Sequence, residues 1–200
     1  MKLPIKEILL CLTLALPLIG TAQAVEIAGV KVEETTQSLA TNTPLKLNGA
    51  GIRYKVFFKV YVASLYLTET KDTAEGIFAV AGPKRINLTM LRDLSSDILG
   101  QAFMDGVKRN TDKSERAKML DQFLKFGQLF STVPELKKGD LVTMEWTPNA
   151  GTNMFINNKK IGDTFQDIAF FNAVLRIWIG DNPVDSTLKK QLLGGAVEKR

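Results

Sequence analysis

The sequence predicts one α+β domain, with strands at its start and again towards its end and helices packed on one face of the sheet. Three observations carry that expectation. The stretch from Leu47 to Leu67, LNGAGIRYKVFFKVYVASLYL, is β-branched, aromatic or aliphatic at nearly every position from Val56 on, with no proline, and reads as a strand buried on both faces. After Ser96 the apolar period changes to that of a helix. Alternating strand patterns return from Leu141 to Gly162, and two further helical stripes follow them.

The first residues read as a leader. Lys2 and Lys6 form a basic head, Ile8 to Leu18 an apolar core, and Ala22-Gln23-Ala24 an A-x-A cleavage signal, so residues 1–24 are expected to be a signal peptide and 25–200 the folded domain. The apolar core is too short to span a bilayer, and no later segment approaches the required length, so no transmembrane segment is expected after cleavage. Cys11 lies inside this leader after Leu10, which argues against lipidation.

The remaining elements follow in order. Val25 to Val32 forms two short strand pieces about an Ala28-Gly29 turn, and Glu33 to Thr43 reads as irregular up to Pro44. Leu45 to Leu47 opens the central β region. A polar connection, TETKDTAEG, leads to Gly76–Ala81 as a possible strand, the Gly82-Pro83 turn and a half-buried strand over Arg85 to Leu91. Ser95 or Ser96 caps a helix with Ile98, Leu99, Ala102, Phe103, Gly106 and Val107 on one stripe, broken at Asn110-Thr111-Asp112. A second helix begins near Lys113, with Ala117, Leu120, Phe123 and Leu124 expected inward, and an apolar run from Phe126 ends before Pro134. Leu141 to Thr147 and Thr152 to Ile156 are paired strands, and Asn157-Asn158 suits the two positive-φ positions of a type I′ turn before a short strand to Gly162. Asp163 or Thr164 is expected to cap a helix that carries Phe165, Ile168 and Trp178 and stops at Gly180 in the left-handed conformation. Asp185 caps the last helix, with Leu188, Leu192 and Leu193 inward.

From Val25 on, the chain has no cysteine and no histidine. That removes disulfides, Ser-His-Asp and Cys-His nucleophile systems and the commonest transition-metal ligand, and no cofactor or metal site is expected. Losing Lys2, Lys6 and Glu7 lowers the formal charge from +5 to +4, spread along the chain, so nucleic acid is not an expected partner. Arg53 heads the apolar run and shares odd parity with Tyr61, so on an unbroken strand both point to one face. A buried guanidinium needs an anionic or carbonyl partner. Either an Asp or Glu elsewhere in the chain supplies it, or the arginine reaches solvent, or it awaits the acidic or carbonyl group of a small molecule.

Four stretches carry a family resemblance: GAGIRYKVFFKVYVASLYL from Gly49, GPKRINLTM from Gly82, GTNMFIN from Gly151 and LRIWIGDNPVDSTLKKQLL from Leu175. With them the chain resembles the chalcone isomerase superfamily, specifically its bacterial exported chalcone isomerase-like members. The resemblance implies an open-faced β-sandwich, a large antiparallel sheet backed by a helical layer, and export to the periplasm. Arg53 matches the arginine that, in the plant enzymes, steers a phenolate into ring closure. Tyr61 stands where those enzymes carry a threonine that polarises the ketone through water. Leu99 and Gly106 stand where they carry a catalytic tyrosine and asparagine, so chalcone cyclisation is not expected. Non-enzymatic relatives hold a fatty-acid carboxylate with the equivalent arginine and a tyrosine, a role open to Arg53 and Tyr61.

Three functions follow. The leading one is a non-catalytic binder of a small apolar carboxylic acid, anchored by Arg53 and Tyr61, with no catalytic residue assigned. The second is an intramolecular lyase or isomerase acting on a phenolic or carbonyl substrate, with Tyr61 the only nearby acid or base. The third is an envelope interaction protein without ligand, whose protein partner the sequence does not name.

Overall fold

The computed structural model describes residues 24–197. The expected leader therefore lies outside the described residues, apart from Ala24, where the first strand begins. In chain order the elements are β1 (Ala24–Ile27), β2 (Val30–Glu33), β3 (Thr35–Gln37), β4 (Pro44–Lys55), β5 (Phe58–Leu67), α1 (Ala74–Ala79), β6 (Lys84–Met90), β7 (Leu94–Ser95), α2 (Ser96–Asn110), α3 (Lys113–Lys118), α4 (Leu120–Ser131), β8 (Glu135–Leu136), β9 (Leu141–Thr147), β10 (Gly151–Ile156), β11 (Lys159–Phe165), α5 (Ile168–Ile179) and α6 (Ser186–Leu192). Seven strands form one antiparallel sheet in the order β11-β10-β9-β6-β5-β4-β3. This is the α+β architecture the sequence predicts.

Strand alternation separates two faces. Tyr61, Ala63, Leu65 and Leu67 of β5 join Ile86, Leu88 and Met90 of β6 under the helices. There an aromatic cluster fills the space between sheet and helices, with ring centroids 4.5 Å apart for Phe103–Phe126 and 4.3 Å for Phe165–Phe170. On the opposite face Ala50, Ile52, Val62 and Tyr66 bury themselves against Ile27 and Val32 of the β1–β2 hairpin. That hairpin turns at Ala28 and Gly29, both at positive φ, as the sequence suggests.

The long apolar run is not one strand. It folds as a β4–β5 hairpin, with Lys55 opposite Phe58 and a two-residue turn at Val56-Phe57. Of these two only Val56 has positive φ, 58°, a position usually given to glycine in hairpin turns and an outlier for a β-branched residue. Because apolar residues occupy the turn, no sequence signal marks it.

Other expectations shift for equally local reasons. The apolar stretch Gly76–Ala81 belongs to helix α1, whose N-cap Thr73 accepts from the Gly76 amide. Short apolar runs do not distinguish strand from helix. A break at Met119 separates α3 from α4 and rotates the stripe. Met119, Phe123, Phe126 and Leu129 are buried, while Ala117, Leu120 and Leu124 face solvent. β11 continues to Phe165, and Asp167, not Asp163 or Thr164, caps α5. β3 lies within the segment read as irregular. Gly180 ends α5 with φ −73°, outside the left-handed region. A Cβ there would lie 2.5 Å from Asn110 Oδ1, so close approach rather than turn geometry favours glycine.

Candidate functional site

Arg53 and Tyr61 do meet, but by cross-strand pairing rather than by parity along one strand. In the β4–β5 register Arg53 stands directly opposite Tyr61. Directly opposed side chains leave an antiparallel pair on the same face with Cβ atoms about 5 Å apart. This face looks towards α5 and α6, which supply the two groups that complete the cluster. Trp178 of α5 donates its indole N–H to the Tyr61 oxygen at 2.9 Å. Asp185, just before α6, sets Oδ2 3.6 Å from the Arg53 guanidinium, and the same oxygen accepts the Tyr54 amide at 3.2 Å. Its other oxygen caps α6 by accepting from the amides of Thr187 and Leu188.

Of the three partners open to Arg53, an aspartate from elsewhere in the chain is thus the one present. The pair is loose, and the two side chains keep 20% and 13% of their surface exposed, so the ion pair is partly hydrated and its contribution to stability small. Neither Asp185 nor Trp178 was legible as a partner. The cap role of Asp185 was, but nothing in sequence reports a contact between residues so far apart.

Tyr61 is 6% exposed. Burial pushes its phenol up to about 12, outweighing the opposing pull of the Trp178 N–H and the Arg53 guanidinium. The phenol is therefore neutral around pH 7, able to donate a hydrogen bond and unsuited to act as a base. A phenol raised on folding contributes a stability that is complete below its unfolded value near 10 and lost as pH rises towards the folded one. Between pH 10 and 12 the wild type should lose roughly 2–3 kcal/mol more than Tyr61→Phe, read from urea denaturation at a series of pH values. Parallel curves would contradict the shift.

The positions of the plant catalytic tyrosine and asparagine are closed to such residues. Leu99 is core. Gly106 sits where α2 meets α5, and a Cβ there would come within 2.8 Å of Ile177 Cγ2, so an asparagine would push the helices apart. Among the described residues, cavities of about 550, 750 and 610 Å³ open at the surface, and Arg53 and Tyr61 do not line these. Among the described residues no group of three or more acidic, histidine or cysteine side chains is arranged to hold a metal ion, and no helix is long and apolar enough to cross a membrane.

The antiparallel sheet is backed by helices, and the arginine–tyrosine pair on β4 and β5 faces that helical layer. A family model described as chalcone isomerase-like matches residues 24–194, and the chain belongs to that family. Among solved structures it is similar to the fatty-acid binding protein of Arabidopsis thaliana, with a TM-score of 0.60 and 16% identity over 80% of this chain and 96% of the plant one. No curated protein matches it in sequence.

Proposed function

We propose that the protein is an exported, non-catalytic binder of a small apolar carboxylic acid of fatty-acid type, with Arg53 and Tyr61 holding the carboxylate. One observation carries the reading: a carboxylate, that of Asp185, already stands against Arg53 beside the Tyr61 phenol and an apolar core. A ligand carboxylate would displace a weakly paired side chain rather than enter an unprepared site. Arginine offers charge-assisted, bidentate bonds and the neutral phenol a further donor. Family membership and the likeness to a plant fatty-acid binding protein support the ligand class. Loading requires the helical layer to part from the sheet, because Phe103, Phe126, Phe170 and Trp178 fill the space beneath it. That same filling favours a second reading, an envelope interaction protein with no ligand.

Native mass spectrometry of the secreted protein, with and without added palmitate, separates the two and also shows whether the chain starts at Val25. Binding is expected in the wild type and weaker by on the order of ten- to a hundredfold in Arg53→Ala. Asp185→Asn keeps a helix cap but removes the competing charge, so it should bind more tightly. If the wild type takes up no palmitate, or Arg53→Ala binds it equally, the binder reading fails.

A further inference from the structure

Among the described residues, the most exposed large apolar side chains lie together at the tip of the β4–β5 hairpin. Phe57 is 89% exposed, Val56 78% and Phe58 61%. Only cations flank them within the hairpin: Lys55 and Lys59 are both exposed, and Arg53 lies further down the strand. Exposed Arg92 adds a fourth charge from the neighbouring β6 end, with its guanidinium 5.1 Å from the centre of the Phe58 ring. Acidic side chains at this end of the sheet have partners of their own: Asp185 pairs with Arg53, and Asp140 accepts from the Lys137 amide and the Asn157 side-chain amide. Asp93 pairs with Lys137 and accepts the Lys138 amide, and Glu135 also pairs with Lys137. The turn is also held against its own preference, with a valine at φ 58° where a glycine would relax the backbone and remove an apolar side chain from water.

We infer that this tip is a membrane-docking element, which inserts Val56, Phe57 and Phe58 into the interface of an anionic bilayer while Lys55, Lys59 and Arg92 lie against its headgroups. Apolar area supplies the insertion and the collar of cations the preference for negative lipid, the combination by which peripheral elements hold a membrane surface. A protein groove could receive two phenylalanines, but a ring of cations around an apolar point matches the layered chemistry of an anionic lipid surface, apolar within and negative at its rim. The Arg53–Tyr61 pair stands about 10 Å down the hairpin from the tip, at the strand rise of about 3.4 Å per residue. Docking would therefore bring that pair close to the lipid interface. The inference stands on the hairpin alone and does not depend on a ligand at Arg53.

The test is flotation of a chain from Ala24 to Arg200, which holds every element of the fold and omits the apolar leader that would itself enter lipid. Vesicles of phosphatidylcholine alone are compared with an equimolar mixture with phosphatidylglycerol, with no fatty acid added. Binding to the mixed vesicles is expected to exceed that to phosphatidylcholine by on the order of tenfold or more, and to weaken with salt. Phe57→Ser with Phe58→Ser should lose most of it with circular dichroism and Tm unchanged, since both side chains are exposed. In Phe57→Trp the new indole emission should shift to the blue on adding mixed vesicles. Equal binding by the double-serine variant, or no binding to either vesicle, overturns the inference. So does a wild-type dimer that the double-serine variant abolishes without any vesicle binding, which would assign the tip to a second copy of the chain.

Discussion

Gly49→Ala is expected to destabilise the protein by about 3 kcal/mol and to loosen Arg53 at the same time, although residue 49 touches no ligand and needs no positive φ. A Cβ at Gly49 would lie 2.0 Å from the Gln191 carbonyl oxygen and 2.9 Å from Leu192 Cα. Both are backbone atoms of α6, so no rotamer change relieves the overlap, and the helix itself must move away from β4. Asp185 caps that helix and is the partner of Arg53, so it moves too. Gly51 makes a useful contrast. Its added Cβ would meet Oε1 of Gln191 at 1.8 Å, the far end of a side chain that can swing aside, but also Gln191 Cβ at 2.9 Å, which cannot, so Gly51→Ala should cost less than Gly49→Ala without being neutral. Gly127, inside α4 with nothing within 4 Å, should be stabilised by about 0.5–1 kcal/mol on change to alanine, because helical glycine carries only an entropic cost there. Urea denaturation of the three variants gives the order. A Gly49→Ala protein as stable as the wild type would mean that α6 is not seated on β4 as described.

The glycine pair that opens the central stretch thus has a steric reason, and the stretch was legible because burial on two faces leaves a continuous apolar signal. The alternation of β6 and β9 and the asparagine pair at positions 157 and 158, both at positive φ, were legible for similarly local reasons. What sequence could not give was any boundary lacking a polar or glycine marker. The turn at Val56-Phe57 and the break at Met119 both lie inside apolar runs, so the period shows through but the interruption does not. The site divides the same way. Arg53 and Tyr61 stood out as a charge entering an apolar run and a phenol within it. The indole that holds Tyr61 is 117 residues away, and its contact exists only once α5 has been laid across the sheet.

Glu145→Ala should cost about 3–5 kcal/mol and release the segment that joins β3 to β4, for a reason no composition statistic shows. On the sheet face away from the helices, Arg85 and Glu145 are directly opposed on β6 and β9, with side chains 7% and 2% exposed. Arg85 donates through Nε to Glu145 at 2.7 Å, and its two other nitrogens reach Thr36 Oγ1 at 3.2 Å and the Gln37 carbonyl at 2.6 Å. The second glutamate oxygen accepts from the Ser38 hydroxyl at 2.8 Å, the Leu39 amide at 2.9 Å and the Thr147 hydroxyl at 3.2 Å. β3 itself pairs with β4 over only three residues. Its attachment thus depends heavily on this charge pair. Removing the glutamate leaves a buried guanidinium unpaired and orphans the Leu39 amide, whereas replacing both charges by apolar residues of similar volume avoids the first penalty. Arg85→Met with Glu145→Leu should therefore be less destabilised than Glu145→Ala alone, yet still open to protease between Thr35 and Thr43, since the tie to Ser38 and Leu39 is gone. Limited proteolysis beside denaturation tests both halves. If the double variant is the less stable of the two, or if the segment resists cleavage in both, then hydrophobic packing rather than the ion pair holds β3 in place.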